Sequence, residues 1–588
     1  MDKNNNSIPL NQYPRPQLER KEWICLNGYW DFTVQPTEER KPDNFNEKIL
    51  VPFSIETPLS EVKRGLKPTE TLWYRKTFMH PDNWKNKRTI LNFEAVDYKC
   101  VCYINGYKAG SHEGGYIPFS FDITEFITDS ENVILLEVTD PTDSENIQKG
   151  KQVLNPATKY YTATSGIWQT VWLEPVPYEN HIIDYSVSAE IETGKIEVTV
   201  KTKSQAKITA RVSLKGNLEE TFSFNSDTSK ALTIQDHKLW SPDNPFLYNI
   251  TLKTDGNDAD EVSGYFAFRE ISIQNAPSGK KRIHLNGKPV FLHAPLDQGY
   301  WPDSGLTPPT EEAIIFDLEQ IKELGFNSVR KHIKIEPRRW YYHADKMGIM
   351  VIQDMVSGGK NSVGDIKTIL TMVFGIKADD KKQSFYIKSG RNSLDNRNTF
   401  IKELSEMITH LKKHPSIIMW VPFNESWGQF DSTKIGELTE NLDPTRLVDR
   451  TSGWYDQGGG IFNSVHTYFT KLRKPSAKDK RVYFISEYGG YNLPVKEHNW
   501  NDKKHFGYRN CSSPADFEKS YSNLIRKQLI PLIKNGLSAA VYTQLTDVEI
   551  ENNGFFTYDR KVLKIEKKLV YNLNNEIYDK FNRIEKIV

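Results

Sequence analysis

The first 180 residues alternate apolar and polar positions with a period of two, in short runs separated by turn residues. This alternation predicts β-strands that each bury one face. Asn105-Gly106 predicts a tight hairpin between two strands, because these residue types adopt positive φ more readily than others. No long helical period interrupts the region, so we predict that residues 1–180 form a β-sandwich. Its clearest strand candidates are TLWYRKTF (71–78), TILNFEAVDYKCVCYING (89–106) and NVILLEVTD (132–140).

Residues 181–275 continue the same alternation over a shorter stretch of chain. The length and the spacing of the strand candidates fit an immunoglobulin-like β-sandwich. The runs that carry this prediction are KIEVTVKTK (195–203), AKITARVSLKG (206–216) and LWSPDNPFLYNITLKT (239–254).

Residues 276–588 show a different pattern, in which apolar runs alternate with amphipathic helical segments. Helices are predicted over 309–325, which Gly325 ends, and over 396–413. Eight strands separated mostly by helices are typical of a (β/α)8 barrel. Residues 356–395 fit no element, and such a loop after a barrel strand would overhang the active site. The strand candidates are PVFLHAPL (289–296), FNSVRKHI (326–333), IMVIQDM (349–355), SIIMWVPF (416–423), RLVDRTS (446–452), NSVHTYF (463–469), RVYFISEY (481–488) and AAVYTQLT (539–546).

Charge and cysteine content narrow the function classes. The 77 basic and 76 acidic residues give a net charge of +1, which argues against nucleic acid as a partner. The cysteines show no metal-ligand spacing, and we predict free thiols and neither a metal nor an organic cofactor. Aromatic residues make up 12% of the chain, which suits both core packing and stacking on sugars. The four cysteines are Cys25, Cys100, Cys102 and Cys511.

The beginning of the chain bears on its location. The sequence MDKNNNSIPLNQYPRP lacks the apolar core and the cleavage site of a signal peptide. No apolar run approaches the roughly 18 residues that span a bilayer, so no membrane partner is expected. The chain is therefore predicted to be cytoplasmic, although a periplasmic or secreted protein whose signal had been removed would have the same sequence.

Two barrel strands end in a glutamate. The fourth runs into Glu425 and the seventh into Glu487, and catalytic groups of barrel enzymes lie at the C-terminal ends of strands. One such glutamate is equally well explained as a structural ion pair, whereas two in one barrel favour a function. Two facing carboxylates are what glycoside hydrolysis requires: one attacks the anomeric carbon and the other protonates the leaving oxygen.

With these two glutamates and several further motifs, the chain resembles glycoside hydrolase family 2, which includes β-galactosidases, β-glucuronidases and β-mannosidases. The resemblance covers nearly the whole length. It implies a sugar-binding, jelly-roll-like β-sandwich, then an immunoglobulin-like β-sandwich, then a catalytic (β/α)8 barrel, with a carbohydrate as the partner. It leaves the oligomeric state open, with a homo-oligomer as one alternative. The motifs that carry it are LNGYWDF (26–32), SGIWQTVWLE (165–174), LWSPDNPFLY (239–248), FAFRE (266–270), HPSIIMW (414–420) with the Asn-Glu pair (424–425), and SEYGG (486–490).

The resemblance implies roles for five residues. Glu425 would be the acid/base and Glu487 the nucleophile, while Asn424 would bind the 2-hydroxyl of the sugar. Tyr468 would contact the nucleophile, and Arg330 would support its ionised state. The alternative for these last two residues is a hydrogen bond or an ion pair inside the barrel.

Further positions are candidates for contact with the sugar, and at two places the chain departs from the family. His332 does not stand at the usual place of the family's histidine, and Thr543-Gln544 stands where many members have a tryptophan under the sugar. For Asp297, Tyr300 and Trp301, which follow the first barrel strand, the alternative to sugar binding is a structural role: Asp297 would tie down the loop and the aromatic residues would lie at the surface. The remaining candidates for sugar contact are Asp297, Tyr300, Trp301, Asp354, His466 and Trp454.

Taken together, these features predict a retaining exo-glycosidase. The alternatives are an α-L-arabinosidase or a galactofuranosidase of the same family, and a non-catalytic carbohydrate-binding protein. The resemblance implies that glucuronide-cleaving members carry Asn-x-Lys before a glycine, whereas this chain has Glu551-Asn552-Asn553 before Gly554. A sugar carboxylate would meet no cation there, so a neutral, galactose-like sugar is predicted.

Overall fold

The structure is a computed structural model that describes residues 8–360 and 378–586. Its N-terminal part packs a six-stranded antiparallel sheet against a four-stranded one. The predicted hairpin is present, with φ of 50° at Asn105 and 89° at Gly106. In spatial order, the large sheet contains Glu47–Val51, Gly28–Pro36, Glu70–Met79, Glu131–Thr139, Lys99–Ile104 and Tyr107–Glu113, and the small sheet contains Ile24–Cys25, Val171–Val176, Arg88–Phe93 and Phe119–Asp122.

Two short strand pairs extend this sandwich toward the rest of the chain. Gln152–Val153 pairs in parallel with Tyr161–Thr162, and Val96–Asp97 pairs with Gly166–Ile167. The segment that follows is fixed against the barrel, because Trp168 is fully buried and its carbonyl accepts a hydrogen bond from Thr307 at 2.6 Å. The sandwich is thus anchored at the mouth of the barrel.

The immunoglobulin-like domain is a sandwich of three and four strands. Burial alternates along them as the sequence predicts: Ile196, Val198 and Val200 are fully buried while their strand neighbours face outward. The smaller sheet contains Ile182–Ala189, Lys195–Thr202 and Ser229–Thr233, and the larger contains Asn217–Asn225, Lys207–Leu214, Tyr248–Thr254 and Glu261–Phe266. A three-stranded sheet of Ile271–Asn275, Lys281–Leu285 and Lys288–Pro289 leads into the barrel.

The C-terminal domain is a (β/α)8 barrel whose eight parallel strands follow the predicted order. Hydrogen bonding is continuous around the barrel except between the fifth and sixth strands, which no ladder joins within the described residues. The fourth strand is apolar and fully buried on both faces, as expected where helices cover a parallel sheet. The barrel strands are Leu292–Asp297, Ser328–Lys331, Met350–Asp354, Ile417–Val421, Leu447–Val448, Phe462–Thr467, Val482–Gly489 and Leu537–Thr543.

The two predicted helices are confirmed with small shifts at their ends. The first runs Glu311–Glu323 and is capped by the Thr310 side chain, and the second runs Leu394–Leu411 and is capped by Ser393. The other α-helices of the described residues are Arg338–Met347, Gln383–Lys388, Ser432–Leu442, Pro514–Leu524, Ile530–Ile533 and Lys567–Glu585, with a π-helical turn at Ile525–Leu529. Short 3-10 turns occupy Pro58–Ser60, Asp82–Trp84 and Thr124–Phe126, and a strand pair joins Tyr491–Asn492 to Arg509–Asn510.

The segment 356–395 was expected to contain no element. That expectation is wrong in part, because it includes the helix Gln383–Lys388. Residues 361–377 lie outside the described residues, whereas Lys360 and Arg391 contact Gly428 in the turn that follows Glu425. Across the described chain we find no helix with the length and apolar character that membrane crossing requires. The four cysteines are free thiols, as predicted.

Candidate active site

Glu425 lies in a strained turn directly after the fourth barrel strand. Glu425 and Ser426 have φ of 51° and 60°, a left-handed conformation that residues with a side chain adopt at some cost. The Trp427 amide donates to the Asn424 carbonyl at 2.9 Å and closes the turn. This turn holds the Glu425 carboxylate at the mouth of the barrel, and Glu425 is 6% exposed there.

Glu487 lies near the C-terminal end of the seventh strand and is held by three neighbouring side chains. Arg330 donates to its Oε1 at 3.2 Å, and the Tyr468 hydroxyl donates to its Oε2. The Nε2 of His466 lies 3.5 Å from Oε1. The Tyr468 ring stacks on Tyr508 at 3.7 Å between centroids, which fixes the position of the hydroxyl.

Arg330 connects several of the predicted residues at the bottom of the site. Its guanidinium binds Asp354 with two hydrogen bonds of 2.9 and 3.0 Å and donates to Asn424 Oδ1 at 2.9 Å. Burial raises the pKa of Asp354 to about 6, although Arg330 acts in the opposite direction. His332 completes the group with its Nδ1 2.9 Å from Asp354, and burial together with the charge of Lys151 holds the pKa of His332 well below its usual range.

Glu425 has two partners, one from the barrel and one from the sandwich. Its Oε1 lies 3.1 Å from His466 Nδ1, and its Oε2 lies 2.7 Å from the Nζ of Lys159. Burial raises the pKa of Glu425, but the Lys159 ammonium outweighs that effect, so the pKa lies below its usual range. In this arrangement Glu425 is ionised.

The two glutamates face each other across a short gap. A carboxylate oxygen of Glu425, a ring nitrogen of His466 and a carboxylate oxygen of Glu487 all lie within 4.8 Å of one another. Oxygen and imidazole donors of this kind can hold a divalent cation. Here, however, Lys159 and Arg330 already supply positive charge to both carboxylates, so we assign the three side chains no metal.

A closed ring of hydrogen bonds forms one wall of the site. Gln298 donates to Gln544 and to the Tyr161 hydroxyl, Gln544 donates to Asn553 at 2.8 Å, and Asn553 donates to Glu551 at 2.9 Å. The Tyr161 hydroxyl donates to the other oxygen of Glu551 and completes the ring. Tyr161 belongs to the sandwich and the other four members of the ring belong to the barrel, so the ring joins the two domains.

The surroundings of Glu551 correct one premise of the sequence analysis, namely that no cation lies in this region. Glu551 is 2% exposed and bonded on both oxygens, so it does not point to solvent. A cation that could meet an anion also lies in this region. Lys151 lies 5.5 Å from the centre of the Tyr161 ring, and Glu551 is the carboxylate that acts most strongly on its pKa. The expectation of a neutral sugar therefore loses its main support.

Some predicted residues lie apart from the glutamates. Asp297 is paired with Lys331 at 2.6 Å, and the Arg560 guanidinium lies 3.8 Å over the Trp301 ring. Tyr300 is buried edge-on against Tyr161 at 4.9 Å between ring centroids. The structure gives these three residues internal partners, as in the tie-down alternative. Trp454 packs edge-on against His466 at 5.8 Å between ring centroids, and His466 lies beside both glutamates.

Four residues near the glutamates were missed: Lys151, Lys159, Tyr161 and Tyr508. The first three belong to the sandwich, and no strand-end pattern marks them. One signal was available, because the resemblance motif SGIWQTVWLE begins at Ser165, directly after the sequence KYYTAT (159–164). A motif of the sugar-binding domain so close in sequence could have directed attention to Lys159 and Tyr161.

Three sequence profiles of one family match consecutive parts of the chain. The sugar binding domain of glycosyl hydrolases family 2 matches residues 24–177, and a second family 2 profile matches residues 179–269. The TIM barrel domain of the same family matches residues 279–503. The three profiles follow the order of the two sandwiches and the barrel.

Individual proteins agree with this assignment. A β-galactosidase of Thermoanaerobacter pseudethanolicus is 26% identical over 451 residues, which are 72% of this chain and 55% of that protein. A β-glucuronidase of Streptococcus agalactiae is 23% identical over 530 residues, covering 81% of this chain and 84% of that protein. The chain spans about half the length of several of the curated relatives that it matches.

A solved structure shares the fold along the whole chain. The β-D-glucuronidase of Dictyoglomus thermophilum superposes with a TM-score of 0.74, at 19% identity, over 96% of this chain and 98% of that chain. The three family 2 profiles together cover most of the chain and lead to one assignment. The chain belongs to glycoside hydrolase family 2.

Proposed function

We propose that the protein is a retaining exo-acting glycosidase in which Glu487 is the nucleophile and Glu425 is the acid/base. The observation that carries the proposal is the approach of the two carboxylates, which have oxygens within 4.8 Å of each other. Retaining glycosidases hold their carboxyl groups about 5–5.5 Å apart, whereas inverting enzymes need about 6.5–9.5 Å to admit a water molecule. An oxygen–oxygen approach this close supports retention.

The contacts of each glutamate favour the assigned role. Arg330 and Tyr468 both donate to Glu487, which keeps it ionised and aimed for attack on the anomeric carbon. As the carbon–oxygen bond to the leaving group breaks, Glu425 gives that oxygen its proton. Glu425 then takes a proton from water, whose oxygen displaces Glu487 from the anomeric carbon.

Asn424 is placed to bind the sugar. Its Oδ1 accepts from Arg330, while its Nδ2 forms no hydrogen bond within the described residues. That free donor supports the role of Asn424 toward the 2-hydroxyl. Glu551 acts on Lys151 and Tyr508, as both catalytic glutamates do, so the hydrogen-bond ring borders the site.

The experiment is a panel of aryl glycosides followed by proton NMR of the best substrate. We expect hydrolysis of a β-glycoside, with the β-anomer of the product appearing first. First appearance of the α-anomer would overturn the retaining mechanism. Preference for an α-L-arabinoside or a galactofuranoside would favour the relatives named above, and binding without any hydrolysis would favour a carbohydrate-binding protein.

A further inference from the structure

Two lysines of the sandwich supply positive charge to the glutamate pair. Lys159 lies between the strands Gln152–Val153 and Tyr161–Thr162 and contacts Glu425. Lys151 directly precedes the first of these strands and is 8% exposed. Both side chains therefore enter the site from a domain other than the one that carries the catalytic pair.

Lys151 has no counter-ion in contact. Its ammonium forms no hydrogen bond or ion pair within the described part of the chain, although it faces Glu551, Glu487 and Glu425 at longer range. Burial lowers the pKa of Lys151, which reflects the cost of a buried charge whose contact is an aromatic ring, Tyr161, and not a carboxylate. An anion that entered the site would remove this cost.

Lys159, unlike Lys151, has a carboxylate partner, and that partner is Glu425, the proposed general acid. Glu425 must carry a proton to assist the leaving group, yet the ion pair with Lys159 keeps it ionised. Burial alone raises the pKa of Glu425, which is what a general acid requires. The other titratable groups that face Glu425 are His466, Glu487, Lys151, Tyr468 and Tyr508.

We propose that Lys159 and Lys151 determine specificity by binding an anionic group of the substrate, and that this binding draws Lys159 away from Glu425. The inference rests on the proposed glycosidase function. A carboxylate or a sulfate on the substrate would pair with both ammonium groups. Glu425 could then take up a proton, whereas a neutral glycoside would leave the ion pair in place.

Two barrel lysines, Lys331 and Lys334, are not available to bind the anion. Lys331 binds Asp297 and Glu336, and Lys334 binds Glu336 together with two backbone carbonyls. Both side chains are at most 1% exposed. Their charges are already used inside the barrel, so of these four lysines we assign the two from the sandwich to the substrate's anion.

The test compares substrates that differ only in charge. In the first pair, phenyl β-D-glucuronide is compared with phenyl β-D-glucoside, so the carboxylate is on the sugar. In the second pair, 4-carboxyphenyl β-D-galactoside is compared with phenyl β-D-galactoside, so the carboxylate is on the leaving group. Phenols are poor leaving groups, so all four substrates depend on the acid. We expect the wild type to prefer the anionic member of one pair at least tenfold in kcat/KM, and that pair identifies the source of the anion.

Variants then assign the preference to the lysines. K159M should lose at least tenfold more activity on the preferred anionic substrate than on its neutral partner. The alkaline limb of the pH–rate profile of K159M on the neutral substrate should move to higher pH, because Glu425 keeps its proton to a higher pH when Lys159 is absent. K151M should raise KM for the anion, and K159R should keep the preference. K108M, which removes an exposed lysine of the sandwich, is the matched control.

Three results would overturn the inference. The first is a wild-type preference for the neutral member in both pairs, and the second is an equal loss on both members in K159M, which would mark Lys159 as structural. Each of these leaves the glycosidase function standing, because hydrolysis is still observed. The third, no hydrolysis of any glycoside, would remove the proposed function and the inference together.

Discussion

The site has two halves that differ in origin and in how they are held. The barrel half contains Arg330, Asn424 and Glu487, placed at the ends of buried strands and linked by short hydrogen bonds. The sandwich half contains Lys151 and Lys159, which come from a segment beside two-residue strands and have long, flexible side chains. We infer that the barrel half performs the chemistry and that the sandwich half selects the substrate.

The largest expected effect lies in the barrel half. Glu487→Gln keeps the shape of the side chain but removes the nucleophile, so kcat/KM should fall about 10⁴-fold or more on every substrate. Steady-state rates of phenol release measure this loss, with circular dichroism as the control for folding. A variant that keeps a tenth of the wild-type rate would contradict the assigned role.

Glu425→Ala should separate substrates by their leaving groups. We expect a loss of about 10²–10⁴-fold on phenyl glycosides and a much smaller loss on dinitrophenyl glycosides, whose leaving groups need no proton. Added azide should restore part of the rate by attacking the glycosyl-enzyme. If azide instead rescues Glu487→Ala with net retention, the two glutamates exchange roles.

Arg330→Met tests how far the barrel half depends on one side chain. The change leaves Asp354 and Glu487 buried without their cation, and breaking a buried pair in this way costs about 3–5 kcal/mol. Thermal unfolding should therefore show a clearly lower Tm together with a loss of activity. An unchanged Tm would mean that water or His332 replaces the guanidinium.

Tyr161→Phe tests the contact between the two halves. The variant breaks the hydrogen-bond ring and leaves one oxygen of Glu551 without its partner, at an expected cost of about 1–3 kcal/mol. Chemical denaturation measures this loss of unfolding free energy. The matched control is Tyr107→Phe on the exposed surface of the sandwich, and equal stability of the two variants would show that the ring does not hold the domains together.

The barrel half could be predicted from the sequence because local pattern and strand ends determine it. Apolar runs place the strands, and parallel strands bring their C-terminal ends to one face, so Glu425 and Glu487 had to share it. Arg330 and Tyr468 followed from the family resemblance, and both contact Glu487 in the structure. Whether these residues act in catalysis stays a prediction until the variants are measured.

The sandwich half could not be predicted, because its position depends on how two domains dock. Lys159 and Glu425 are 266 residues apart, and nothing local in either segment indicates that they pair. The same limit explains the weaker candidates near the first strand. Asp297 and Trp301 have the right chemistry for a sugar, but Lys331 and Arg560 engage them instead, which only the packed structure shows.

The central claim is that Glu487 forms a covalent bond to the sugar. A dinitrophenyl 2-deoxy-2-fluoro glycoside of the preferred sugar slows both steps, but its good leaving group keeps the first step the faster one, so the glycosyl-enzyme accumulates and can be digested and sequenced by mass spectrometry. We predict one added fluoroglycosyl group per chain, on the peptide that contains Glu487 and at that residue. A label on Glu425, or rapid turnover of the best substrate with no label anywhere, would contradict the account.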